Sequence, residues 1–120
     1  MKILIVDDSE ANRRLLRDVL LYYGHEVVDA GNGAEGVKLA KEHLPDLILM
    51  DIQMPVLNGF AALRILKEAS ETNMIKVIAM TSFAMNGDEE KVMAEGFDGY
   101  ISKPMDIREL PGLLKKMTEG

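Results

Sequence analysis

Three short, unbroken aliphatic runs, ILIV at 3–6, LILM at 47–50 and VIAM at 77–80, constrain the fold of this chain more than any other feature. A strand with one wet face alternates apolar and polar residues, whereas a continuous run is apolar on both faces and belongs inside a sheet covered on both sides. Parallel strands of that kind need a long crossover between them. The intervening segments supply it. Ala11, Leu15, Leu16, Val19 and Leu20 recur at the helical period, with Ser9 as N-cap and Gly24 as the C-terminal stop. Val37, Ala40 and Leu44 form a second stripe, ended by Pro45. Asn58 caps a third helix with Phe60, Leu63 and Leu66 inward, and Val92 and Met93 mark a short fourth that leads to Gly96. The fifth opens on Asp106 and Glu109 in capping-box spacing and runs through Ile107, Leu110, Leu113, Leu114 and Met117. Pro111 is expected to distort its first turn or shift its start. Val27 and Val28 mark a weaker second strand, placed at an edge, and GYIS at 99–102 a weak fifth. Five strands and five helices in strict alternation, with right-handed crossovers, give a doubly wound α/β sandwich. With 120 residues and no repeat, linker or low-complexity tract, residues 1–120 are expected to form one domain.

Composition narrows the function classes. The chain has no cysteine, which excludes a disulfide scaffold, a thiolate metal site and a cysteine nucleophile. A net charge of −6 disfavours nucleic acid and anionic membrane as partners. The first apolar run is only four residues long before Asp7 and Asp8, too short for a signal peptide or a spanning helix, so a cytoplasmic protein is expected. His25 and His43 are isolated and are assigned no metal. Arg13, Arg14 and Arg17 read as a solvated face of the first helix. Of the nine methionines, Met50 and Met80 fall within strands as core, while Met54, Met85 and Met105 fall in loops and are the better interface candidates.

In an open α/β sheet, ligands bind beyond the carboxyl ends of the strands, where the strand order reverses. The first strand is followed by Asp7 and Asp8, the third by Asp51, the fourth by Thr81, and the fifth by Ser102, Lys103 and Pro104. The second strand ends in Asp29-Ala30-Gly31 and offers nothing obvious. Taken singly, an Asp before a helix is a cap, and a lysine is a solvated surface group. Placed together, three carboxylates raise one another's pKa unless a cation shares the site. All-oxygen donors suit a hard cation, magnesium or, as a substitute, manganese. A carboxylate beside such a cation and an ammonium can accept a phosphoryl group as an acyl phosphate.

The segments IVDDS at 5–9, LILMDIQMPVLNG at 47–59, AMTSFA at 79–84 and GYISKP at 99–104 resemble the receiver domains of two-component response regulators, over essentially the whole chain. The resemblance is to the stand-alone, chemotaxis-regulator-like type. It implies a flavodoxin-like three-layer sandwich with strand order 2-1-3-4-5, and Asp51 as phosphoacceptor. It further implies magnesium ligation by Asp8, Asp51 and the backbone carbonyl of Gln53, with Asp7 acting through water. Thr81 and Lys103 would contact the phosphoryl group, Thr81 and Tyr100 would form the switch, and the Lys103–Pro104 peptide would be cis. Gln53 and Phe83 would flank the route of water to the acyl phosphate. The implied partners are a histidine kinase or histidine phosphotransfer protein and a downstream protein, met through a surface of helix four, strand five and helix five. The chain would be a monomer or a weak phosphorylation-dependent dimer, and a regulatory domain rather than an enzyme.

Two other functions on the same fold fit the residues less well. A magnesium phosphohydrolase with an Asp nucleophile needs an acid two residues further on, where this chain has Gln53. A flavodoxin-like cofactor binder needs a first loop that cradles phosphate, where Asp7, Asp8 and Glu10 would repel it.

Overall fold

The aliphatic runs do form the middle of one sheet, and its alternating side chains decide what each helix packs against. The computed structural model describes residues 1–54, 57–81, 88–103 and 107–119. Along the chain come β1 (Lys2–Val6), α1 (Glu10–Tyr22), β2 (Glu26–Ala30), α2 (Gly33–His43), β3 (Leu47–Asp51), α3 (Gly59–Glu68), β4 (Lys76–Thr81), α4 (Asp88–Ala94) and β5 (Gly99–Ser102). A 3₁₀ turn (Ile107–Glu109) then leads into α5 (Leu110–Glu119). The strands are all parallel, in the order β2-β1-β3-β4-β5, as expected.

Successive strand residues point to opposite faces, and the two faces bury separate cores. Leu4 and Val6, Ile48 and Met50, and Val77 and Ala79 pack with Val37 and Ala40 of α2, Leu63 and Leu66 of α3, and Val92 of α4. Ile3 and Ile5, Leu47 and Leu49, and Ile78 and Met80 pack with Leu16 and Leu20 of α1 and Leu110 and Leu114 of α5. Each run is apolar throughout because both faces are covered.

Side-chain caps set three helix starts. Ser9 Oγ accepts the Asn12 N–H at 3.2 Å, Asn32 Oδ1 that of Glu35 at 2.8 Å, and Asn58 Oδ1 that of Ala61 at 3.0 Å. Pro111 is the second residue of α5, where the helix leaves its first amides unpaired and tolerates proline; the preceding turn tightens to 3₁₀. The start of α5 is therefore shifted, as Pro111 suggested, while Asp106 lies outside the described residues.

Four apolar expectations are corrected. Leu44 does not extend the α2 stripe. It caps the helix in the left-handed region (φ 46°) and is half exposed, since the helix must end before Pro45. Leu15 and Met93 are likewise well exposed. Met54 is no interface residue: it is only 8% exposed and belongs to the α2/α3 core. Met85 and Met105 lie outside the described residues.

Gly59 is where α3 approaches the third strand too closely for a side chain. A Cβ there would stand 2.6 Å from Ile52 Cα and 2.8 Å from the Asp51 carbonyl oxygen, both backbone atoms. Gly112 in α5 has nothing within 4 Å of its Cβ position. Gly59→Ala is expected to cost about 1–3 kcal/mol by overpacking. Gly112→Ala should instead be neutral or stabilising by up to about 1 kcal/mol, because glycine is a poor helix former. Urea midpoints of both variants at unchanged m-value check this.

Candidate functional site: an acidic pocket at the strand ends

The strand order reverses between β1 and β3, and the carboxyl ends of these two strands carry the acids. The Asp7 N–H donates to the Ala30 carbonyl at 3.1 Å, so the sheet pairing continues one residue past β1 and fixes Asp7 on the rim. Asp51 is the last residue of β3. The Lys103 N–H donates to the Thr81 carbonyl at 2.7 Å, which carries the β4–β5 ladder up to Lys103. Strand parity then makes these groups converge. Asp7, Asp51 and Lys103 share the parity of Ile5, Leu49 and Ile101, all on the α1/α5 face.

Lys103 Nζ donates to Asp7 Oδ2 at 2.8 Å and to Asp51 Oδ2 at 2.9 Å. Asp7 is fully buried and Asp51 is 4% exposed, whereas Asp8 is exposed at the mouth. Asp7, Asp8 and Asp51 offer carboxylate oxygens that all lie within 4.8 Å of one another. Three carboxylates against one ammonium leave the pocket short of positive charge, and the all-oxygen donor set fits a hard divalent cation.

The two buried acids differ in their donors. Burial pushes the Asp7 carboxyl up, but Lys103, the Ser9 N–H (2.9 Å to Oδ1) and the Asn12 side-chain amide together hold it below its ordinary value. Burial raises Asp51 too. Its donors, the Gln53 N–H (2.9 Å to Oδ1) and Lys103, do not offset burial and the repulsion of Asp7, so it titrates above its ordinary value. Lys103 is pushed down by burial, yet its hydrogen bonds to both acids raise it overall, so it stays an ammonium.

The remaining sequence-predicted residues divide between brought together and not described. Thr81 is buried at the end of β4 and Gln53 is half-buried beside Asp51. Tyr100 is half-buried against the α2/α3 core. Thr81 shares the parity of Val77 and Ala79, so it lies on the Tyr100 face rather than the Asp51 face. Phe83 and the Lys103–Pro104 peptide fall outside the described residues. Sequence reasoning missed two second-line groups. Arg13 and Arg17 are not a solvated face, because both pair with Asp29 at the end of β2, at 3.0 and 3.3 Å. The edge strand thus does contribute. Asn12 is the second such group: its place three residues after the Ser9 cap turns its side-chain amide toward Asp7. Among the described residues no helix is long and apolar enough to cross a membrane.

A family model for the response regulator receiver domain matches residues 3–115. The chain belongs to this family. As a response regulator receiver domain it is a phosphorylation-operated signalling switch, a regulatory phosphoacceptor domain of a kind that works with histidine kinases or phosphotransfer proteins. It is similar to the polar-differentiation response regulator DivK of Brucella anthropi, 47% identical over 105 residues, covering 88% of this chain and 85% of that protein. DivK of Brucella ovis is 46% identical over the same span and shares. Among solved structures, Vibrio cholerae chemotaxis protein CheY4 matches with a TM-score of 0.88 at 28% identity, over 96% of both chains. The receiver domain of a Pseudomonas aeruginosa sensor histidine kinase matches with a TM-score of 0.87 at 31% identity, over 96% of this chain and 94% of that one. That structure holds a magnesium ion in its active-site cleft.

The receiver's opposed carboxyl shifts make a pH-dependent prediction for the metal-free protein. Asp7, lowered in the fold, contributes stability above its unfolded pKa of about 3.9 and loses it as pH falls through the folded value. Asp51, raised, favours the fold while protonated and loses that contribution as pH rises through its folded value. In EDTA at pH 7, Asp7→Asn should therefore lower stability by about 1–3 kcal/mol. Asp51→Asn should raise it, with the gain vanishing below about pH 3.9. Urea unfolding of both variants across pH 3–8 checks the two signs.

Proposed function

We propose that residues 1–120 form one receiver domain in which Asp51 accepts the phosphoryl group from a phosphohistidine of a kinase or phosphotransfer protein. The observation that carries this is the Lys103 ammonium, 2.9 Å from Asp51 Oδ2 while it also holds Asp7. Asp7 has both oxygens engaged, Oδ2 by two donors, and is fully buried. Asp51 carries fewer donors and ends the central strand, which leaves it the better nucleophile. A carboxylate oxygen of Asp51 attacks phosphorus; the new P–O bond forms as the P–N bond breaks, the bonding pair stays on the donor's ring nitrogen, and the ring takes a proton from solvent and leaves as neutral imidazole. Lys103 stays charged and pairs with the phosphoryl oxygens, and the Thr81 hydroxyl donates to one of them. Asp8, Asp51 and the Gln53 backbone carbonyl, with Asp7 behind them, would hold magnesium, or manganese in its place, which when bound neutralises charge on acceptor and phosphoryl oxygens.

Gln53 and Phe83, each two residues beyond Asp51 and Thr81, are assigned to control of water attack on the acyl phosphate. No acid stands at 53, so a phosphohydrolase is not favoured. Acetyl phosphate with magnesium should add about 80 Da to the parent and nothing to Asp51→Asn, and chelation should block the gain. An adduct of that mass on Asp51→Asn would overturn the assignment. Phe83→Glu should shorten the adduct's half-life several-fold; an unchanged half-life would remove Phe83 from the water route.

The output is assigned to Thr81 and Tyr100, acting on a surface of α4, β5 and α5 that meets a downstream protein as a monomer or weak dimer. The register supports the link: Tyr100 lies beside Ala79 and Ser102 beside Thr81, and Thr81 and Tyr100 share one face of the sheet. Movement of Thr81 toward a phosphoryl group would open space on the Tyr100 side, a two-position device rather than a graded one. A coupling of about 1–3 kcal/mol is expected. Thr81→Ala should still be phosphorylated but should lose most of the shift that phosphorylation gives the isotope-labelled Tyr100 ring in NMR spectra. A full shift in Thr81→Ala would break the coupling.

A further inference from the structure

The hold on Asp7 extends beyond the acidic pocket. Arg13 of α1 donates from Nη1 to the Asp7 backbone carbonyl at 2.7 Å and from Nε to Asp29 Oδ2 at 3.0 Å. Its guanidinium lies over Gly31, where a Cβ would stand 3.4 Å from Nη1. Arg17 reaches Asp29 Oδ1 at 3.3 Å but does not extend to Asp7. The two arginines also differ in setting, with side chains 18% and 40% exposed. The carbonyl that Arg13 holds belongs to the peptide unit joining Asp7 to Asp8. That unit is planar, so fixing its oxygen, with the Asp7 N–H already on Ala30, fixes the direction in which the chain leaves for Asp8. The Asp7 carboxylate is oriented separately, by Asn12, Ser9 and Lys103.

We propose that Arg13, oriented by Asp29, is a positioning residue that sets the Asp7–Asp8 peptide so that both carboxylates serve one divalent cation. The inference rests on the reading of the pocket as a magnesium site. Arg13 touches neither a carboxylate of the pocket nor the phosphoryl group, and acts through the backbone. Its planar fork suits the task, with one nitrogen on a carbonyl and another on the carboxylate of a different strand, as a lysine's point charge does not. Outer partners of this kind typically govern metal affinity by about 10–100-fold.

The sign of the effect separates positioning from bulk electrostatics. A cation near a cation site opposes metal binding through space, so removing its charge should tighten magnesium if Arg13 acts only by its field. Positioning predicts the reverse. The test is magnesium affinity of the full chain by calorimetry, with urea midpoints in EDTA measured alongside. Arg13→Met is expected to weaken magnesium about tenfold or more, and Arg13→Lys to remain weakened although the charge is kept. Asp29→Asn should weaken it several-fold, and Arg17→Met should stay within about twofold of the parent. If the parent binds magnesium and folded Arg13→Met binds it equally or more tightly, the positioning role is overturned. Should Arg13→Met fail to fold, Arg13→Lys and Asp29→Asn decide by the same criterion. A parent that binds no magnesium overturns this role together with the reading of the pocket.

Discussion

One ammonium shared by two buried carboxylates is the interaction on which the site depends. Removing Asp7 and Asp51 from water disfavours their charged forms, and Lys103, reaching back across 96 residues of sequence to Asp7, supplies the compensating charge. The compensation is incomplete. With Asp8 at the mouth, three carboxylates face one ammonium, and the imbalance falls on Asp51, the acid with fewer donors. The same imbalance makes the pocket receptive to a divalent cation, and burial with the repulsion of Asp7 holds Asp51 above its ordinary carboxylate range.

The sheet arranges this chemistry through parity and strand order. Because β1 and β3 are neighbours although they are not consecutive, their carboxyl ends sit side by side, and β4 brings β5 and Lys103 to the same rim. The period of two then sends Asp7, Asp51 and Lys103 to the α1/α5 side and Thr81 and Tyr100 to the other. The α1 helix adds a third level. Its first turns carry Ser9, Asn12 and Arg13 against Asp7, so a helix whose inner stripe is core also supports the pocket. The acids with their ammonium and the Thr81–Tyr100 pair thus lie on opposite faces of one sheet, with β4 paired to both β3 and β5.

Much of this was legible in the sequence because it depends on local periodicity. Continuous aliphatic runs cannot be half-exposed strands, so the sheet, its parallel sense and the rim acids followed from them. Ser9 and Asn58 were readable as caps because an N-cap acts within three residues. Pro111 was readable because proline's conflict with a helix interior is intrinsic. The errors arose where tertiary reach decides. Met54 follows a strand as a loop residue should, yet the path of the loop buries it against α2 and α3. Leu44 continues the α2 period, but Pro45 ends the helix and turns it outward. Arg13 and Asp29 are unremarkable singly; only the β1–β2 pairing brings the end of the edge strand beneath α1.

The most direct test of Asp51 as the acceptor is chemical. An acyl phosphate is reduced by borohydride to an alcohol, which converts a phosphorylated aspartate to homoserine. The protein, treated with acetyl phosphate and magnesium, reduced, digested and sequenced by tandem mass spectrometry, should carry homoserine at position 51 and aspartate at 7 and 8. Homoserine at 7 or 8, or an unmodified Asp51 in protein that had gained the phosphoryl mass, would contradict it.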